Sequence, residues 1–101
     1  MTAYAVFEVT INAEADEAAR RDYERYRAEV PAIIEQYGGR YLARAWAGFD
    51  VDGGPAGDRF HLIEFPDAEH ARAFWASPEY AAISHLRHGS ANVRAVVLHP
   101  Q

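Results

Sequence analysis

Three charged residues fall within predicted strands at spacings that could bring them together: Glu8, Arg44 and Glu64. A charge on a mostly apolar strand face is expensive unless it is paired or solvated. Two carboxylates sharing one site push one pKa upward, which suits general acid–base work, and a guanidinium beside them can hold an anion or an oxyanion. Arg87, near the end of the last predicted helix, could close the same pocket or hydrogen-bond helix carbonyls. The catalytic reading makes Glu64 the acid/base, with Arg44 or Arg87 as the anion partner. The plainer reading is a structural salt bridge of Arg44 with one or both glutamates.

Composition narrows the chemistry further. The chain has 101 residues, half of them hydrophobic, which suits one domain over residues 1–101 with a core of its own. It has no cysteine, so disulfides, thiolate nucleophiles and Cys-ligated metals are excluded. All ten basic residues are arginine, which removes a Schiff-base lysine, a pyridoxal phosphate anchor and the P-loop lysine. No bound cofactor is expected. A formal charge of −5 argues against nucleic acid as a partner. The N-terminal stretch has no basic leader and no apolar run approaches bilayer length, so neither a membrane partner nor a targeting segment is expected, and the expected location is the cytoplasm.

His85 and His88 share a helix face, but no third ligand at metal-binding spacing accompanies them, so no metal site is assigned. Asp50, Asp52 and Asp58 resemble a calcium loop, yet the position that should be glutamate is His61. His61 alternates onto the helix-facing side of its strand, where a hydrogen-bonded core histidine is the ordinary role.

The elements that must position these residues read clearly. Tyr4 to Ile11 is a strand with Ala5, Phe7, Val9 and Ile11 on one face and Tyr4, Val6, Glu8 and Thr10 on the other. Asp16 is placed to cap a helix carrying Tyr23, Tyr26, Val30, Ile33, Ile34 and Tyr37 at spacings of three and four. Pro31 predicts a kink or restart, and Gly38-Gly39 the stop. Arg40 to Trp46 is a second strand, with Tyr41, Ala43 and Ala45 on one face and Leu42, Arg44 and Trp46 on the other. A glycine-rich loop leads to a third strand, Arg59 to Phe65. Asp67 caps a second helix, Ser77-Pro78 restarts it, and Asn92 to His99 is the last strand.

This β-α-β-β-α-β order predicts an α+β, ferredoxin-like fold: an antiparallel sheet with helices on one face and the second helix split at Ser77-Pro78. Strands one and three are expected as a central, parallel pair, which would set Glu8 and Glu64 at similar heights. The face without helices would carry Tyr4, Val6, Leu42, Trp46, Phe60, Leu62, Val96 and Leu98. That much contiguous apolar surface predicts a homodimer packed through its sheet faces. Tyr4, Glu8, Leu62, Trp46 and Tyr80 are the expected ligand-binding lining, with core or interface packing as the alternative role for Tyr4, Trp46 and Tyr80.

The segments Val30-Pro31, Tyr37-Gly38-Gly39-Arg40-Tyr41-Leu42, Glu64-Phe65-Pro66, Ser77-Pro78-Glu79-Tyr80 and Leu86-Arg87, in that order and spacing, resemble the domain-of-unknown-function family DUF1330 over nearly the whole chain. The resemblance implies a dimeric α+β barrel within a superfamily of cofactor-independent monooxygenases, muconolactone isomerases, haem-degrading enzymes and stress-response proteins. The family pattern falls on Tyr37, Gly38, Gly39, Arg44, Glu64, Pro66, Ser77, Pro78, Tyr80 and Arg87. The chain departs from it at His61, where an aliphatic residue is usual, and in the glycine-rich loop from Phe49 to Asp58. The function expected is a small-molecule-binding dimer, with a cofactor-independent enzyme acting on a small aromatic or carbonyl metabolite as one form of it, and a non-catalytic or stress-related structural dimer as the alternative.

Overall fold

In the computed structural model, which describes residues 1–100, the elements follow the order β1 (Ala3–Ile11), α1 (Glu17–Gln36), β2 (Arg40–Trp46), β3 (Arg59–Phe65), α2 (Ala68–Trp75), α3 (Pro78–Ile83), a 3₁₀ turn (Ser84–Arg87) and β4 (Ala91–Leu98). The four strands form one sheet in the order β2-β3-β1-β4. Every pairing is antiparallel, so the sheet is ferredoxin-like and open rather than closed into a barrel within one chain. The central pair is β1 and β3 as expected, but they run in opposite directions: Tyr4 lies opposite Glu64 and Glu8 opposite Phe60. The long α1 crossover makes β1 and β2 parallel and leaves a gap between them, and β3, returning through the loop after β2, fills it antiparallel to both.

The helices cover the face carrying Ala5, Phe7, Val9, Ile63 and Phe65, and those residues join Tyr23, Tyr26, Val30, Ile34, Phe74, Tyr80 and Ile83 in one core. Phe65, Phe74, Ile34 and Ile63 are its largest fully buried side chains. Burying each contributes about 2 kcal/mol. Local signals set the helix ends. Asp16 accepts from the Ala19 N–H at 2.8 Å, Asp67 from His70 at 2.8 Å and Ser77 from Tyr80 at 3.0 Å. Pro31 does not restart α1, which runs through it as one helix. Gly38 takes φ of +84° just past the helix, the left-handed geometry that favours glycine. A Cβ on the next residue, Gly39, would lie 2.5 Å from Ile34 Cγ2 and 2.8 Å from Phe65 Cε1, so glycine is what lets the chain turn against the core.

The β2–β3 ladder contains a bulge. Tyr41 pairs with Ile63 and Ala43 with Leu62, which leaves Leu42 as an extra residue. Beyond it the side-chain phase of β2 is reversed from simple alternation. Arg44 is opposite His61 and Trp46 opposite Arg59, on the helix-facing side, while Ala43 and Ala45 share the open face with Leu62 and Phe60. The expectation that Arg44 and Trp46 share the open face with Glu8 and Glu64 is corrected by this one inserted residue.

Candidate functional site

The three charges first considered are separated. Glu8 and Glu64 share the open face, but four register positions part them, about 13 Å at roughly 3.3 Å per residue. Glu64 pairs with Arg40 at 3.0 Å, not with Arg44. Glu8 accepts from the Gly57 N–H at 2.9 Å and stands 3.9 Å from the Arg94 guanidinium. Arg44 lies on the other side of the sheet. Arg87, in the 3₁₀ turn, is half-buried near Tyr26, its Nε buried without a partner. Tyr4 and Leu62 are half-buried on the open face. Tyr80 is in the core, its hydroxyl 2.9 Å from that of Tyr26. Tyr26 is held far above the usual tyrosine range, first by burial and then by Tyr80.

Two hollows lie between the sheet and the helices. The larger, about 390 Å³, opens beneath α2 toward β4. Ala5, Phe7 and Val97 floor it, and Phe74 and Trp75 wall it. Small residues on β1, α2 and β4 (Ala5, Ala71, Ala95) create the space by failing to fill it. Trp75 is fixed by stacking on Tyr80 at 4.9 Å and by an edge contact with Phe7 at 5.2 Å, so the hollow has a preformed aromatic wall. Arg72 and His99 are the ionisable residues at its rim.

The smaller hollow, about 30 Å³, lies beneath α1 toward β2, and Phe7 borders it as well. Arg59, only 7 % exposed, projects there with Arg27, Arg44 and His61, among Tyr23, Tyr26 and Tyr41. His61 is pushed down to about 4, first by burial and then by the charges of Arg59, Arg44 and Arg27, so it is neutral at pH 7. Burial also lowers the Arg59 guanidinium from its ordinary value. Neither Arg59 nor Arg27 was singled out from sequence. The signal was present for Arg59, since the alternation that puts His61, Ile63 and Phe65 toward the helices puts Arg59 there too.

Other polar groups serve the scaffold. Tyr37 donates to Glu79 at 2.7 Å, tying the end of α1 to α3, and that hydrogen bond is the leading cause of the lowered Glu79 pKa. Asp58 accepts from the Ile11 N–H at 2.7 Å and Asp50 from the Ala56 N–H at 3.1 Å, which gives two of the loop carboxylates structural partners. Among the described residues no group of three or more His, Asp or Glu side chains could hold a metal ion, and no helix is long and apolar enough to cross a membrane.

The family model described as domain of unknown function (DUF1330) matches residues 2–100. No curated protein matches the chain. Among solved structures, a protein of unknown function from Rhodopseudomonas palustris, RPA0582, superposes with a TM-score of 0.78 at 16% identity, covering 99% of this chain and 82% of that one. A dimeric ferredoxin-like protein of unknown function from Jannaschia sp. CCS1 gives 0.73 at 12% identity, covering 99% and 100%. SnoaB, a cofactor-independent oxygenase from Streptomyces nogalater, gives 0.65 at 11% identity, covering 99% and 93%. These likenesses establish a shared fold.

Proposed function

Because the chain belongs to the DUF1330 family, a domain of unknown function, we propose a function from its own surfaces: a homodimer, joined through its open sheet faces, that binds a small, largely apolar molecule beneath α2. The observation that carries this reading is the hollow of about 390 Å³ with Trp75 and Phe74 as its wall. That volume is within the range of small-molecule sites, and its mostly apolar lining with a few rim polar groups is their usual character.

The dimer draws its support from the other face. Tyr4, Val6, Phe60 and Leu62 are only half-buried there, and Leu42, Val96 and Leu98 are exposed, a contiguous apolar patch on the side the helices leave bare. The Jannaschia structure is described as dimeric. Catalysis by Glu64 with Arg44 or Arg87 requires these groups around one ligand, whereas Glu64 and Arg44 lie on opposite faces of the sheet. Binding without turnover is therefore the favoured form, and the fold in common with SnoaB leaves cofactor-independent oxygenation of a small molecule as the second.

The test is a thermal-shift and fluorescence titration with neutral aromatics such as indole and 2-naphthol, read beside light scattering. Saturable binding at one molecule per chain in a particle of twice the chain mass supports the reading. A monomer, or no saturable uptake by any neutral aromatic, sinks it.

A further inference from the structure

We propose that the hollow bordered by Arg27, Arg44, Arg59 and His61 is a second binding site, one that receives the carboxylate of a small organic acid. It is separate from the α2 hollow and does not rest on the reading given for it.

The first support is charge. Three guanidiniums converge on this hollow and no acidic residue lines it, in a chain whose formal net charge is −5. Arg27 has a carboxylate partner, Glu24 at 3.1 Å, but neither Arg44 nor Arg59 forms an ion pair among the described residues. Arg59 is more than nine-tenths buried, and among the described residues its one polar side-chain contact is a neutral imidazole, His61 Nε2, at 3.4 Å. A buried guanidinium without a counter-charge is costly, and an entering anion relieves that cost.

The second support is hydrogen bonding. An arginine can only donate, so His61 Nε2 must accept from Arg59, which leaves the proton of the neutral ring on Nδ1. That Nδ1 is buried without a partner, and so is Arg27 Nε. Two buried donors and an unpaired guanidinium around one space form a set that an oxyanion satisfies.

The third is pre-organisation. Each guanidinium lies over an aromatic ring: Arg44 over Tyr41 at 4.6 Å, Arg59 over Trp46 at 5.1 Å and Arg27 over Tyr23 at 6.0 Å. Stacking occupies the face of the guanidinium and leaves its in-plane N–H groups free to bond.

Size decides the anion. About 30 Å³ accepts the two oxygens of a flat carboxylate but crowds the four of a phosphate. The body of the acid has its own room, since a groove of about 250 Å³ shares Tyr23, Arg27 and Arg59 with the hollow, adds the apolar surfaces of Ile11, Ala15 and Trp46, and carries Arg20 beside its one acidic residue, Glu24, which is paired with Arg27.

Isothermal titration of the full chain with benzoate, acetate and inorganic phosphate, at pH 7 and constant ionic strength, tests the site. Benzoate should saturate at one per chain, acetate should bind more weakly and phosphate weakest. Arg44→Gln and Arg59→Gln should each lower benzoate affinity at least tenfold, while Arg25→Gln, on the exposed side of α1, should leave it unchanged. Arg44 is exposed, so its variant stays informative if Arg59→Gln does not fold. The His61 ring resonances should shift with benzoate. Ala95→Phe, which fills the α2 hollow, should leave benzoate binding intact, so the two sites fail independently. Absence of saturable benzoate binding, a preference for phosphate, or full benzoate affinity in Arg44→Gln overturns the proposal.

Discussion

Arg44 stands directly across the β2–β3 ladder from His61, although strict alternation along β2 would put the two on opposite faces of the sheet. The extra residue at Leu42 makes the difference. Deleting Leu42 removes the bulge but keeps the pairing, since Tyr41, Ala43 and Arg44 then alternate without interruption, and Arg44 stays opposite His61 and Trp46 opposite Arg59. The deletion should change stability by about 1 kcal/mol or less in urea unfolding, because the Arg59–Trp46 contact is kept and the ladder becomes regular. Benzoate affinity should stay near that of the wild type in a protein that remains folded by circular dichroism.

His61 predicts a pH dependence. In the folded chain it takes a proton only near pH 4, whereas the unfolded histidine does so near 6.5. Above pH 6.5 both states are neutral and the residue makes no difference. As the pH falls from 6.5 toward 4 the unfolded state binds the proton first, so stability declines across that window. Urea midpoints at pH 7, 5.5 and 4.5 should show a steeper decline for the wild type than for His61→Gln.

The open face predicts the assembly. Leu62→Glu puts a charge at the centre of the apolar patch and Val96→Glu puts one on β4, across Val6 of β1 from Leu62. Each should convert the proposed dimer to a folded monomer by light scattering, because an unpaired charge in that interface would be desolvated. A dimer that persists in both variants places the interface elsewhere.

The larger hollow predicts a selective block. Ala95 is exposed on β4 and lines that space, so Ala95→Phe fills it without breaching the core. Indole affinity should fall at least tenfold by Trp fluorescence titration, with the urea midpoint nearly unchanged.

The tyrosine pair predicts a coupling. The Tyr26 and Tyr80 hydroxyls share one buried hydrogen bond of 2.9 Å. Tyr26→Phe and Tyr80→Phe should each cost about 1 kcal/mol, and the double variant less than their sum, since removing one partner leaves the other hydroxyl unsatisfied. Burial holds Tyr26 protonated when folded, so ionisation in the unfolded chain erodes stability above about pH 10. Tyr26→Phe should lessen that alkaline loss.

Local signals made most of the scaffold readable from the residues. Asp16, Asp67 and Ser77 cap the helices where their side chains suggest, and Ala5, Phe7 and Val9 alternate into the core as their spacing requires. Strand direction is a property of the connections and not of the strands: nothing in Glu8 or Glu64 records which way β3 runs. The bulge was hidden for a different reason. Leu42-Ala43-Arg44-Ala45-Trp46 alternates equally well in either phase, and only the paired strand selects one. The basic hollow was half legible. Alternation puts His61 on the face where it lies, but Arg59 is the first residue of its strand, and its burial follows from α1 lying across it, a tertiary effect.

The irregularity at Leu42 has one more effect, on growth of the sheet. Its two outer strands are β2 and β4. A kinked outer strand is a poor template for another chain, whereas β4 runs regularly for eight residues, with Val96, Val97 and Leu98 exposed. Strand addition is thus favoured at one border alone. Two copies meeting there by a twofold axis close upon themselves, and fibrils, which need both borders, are disfavoured.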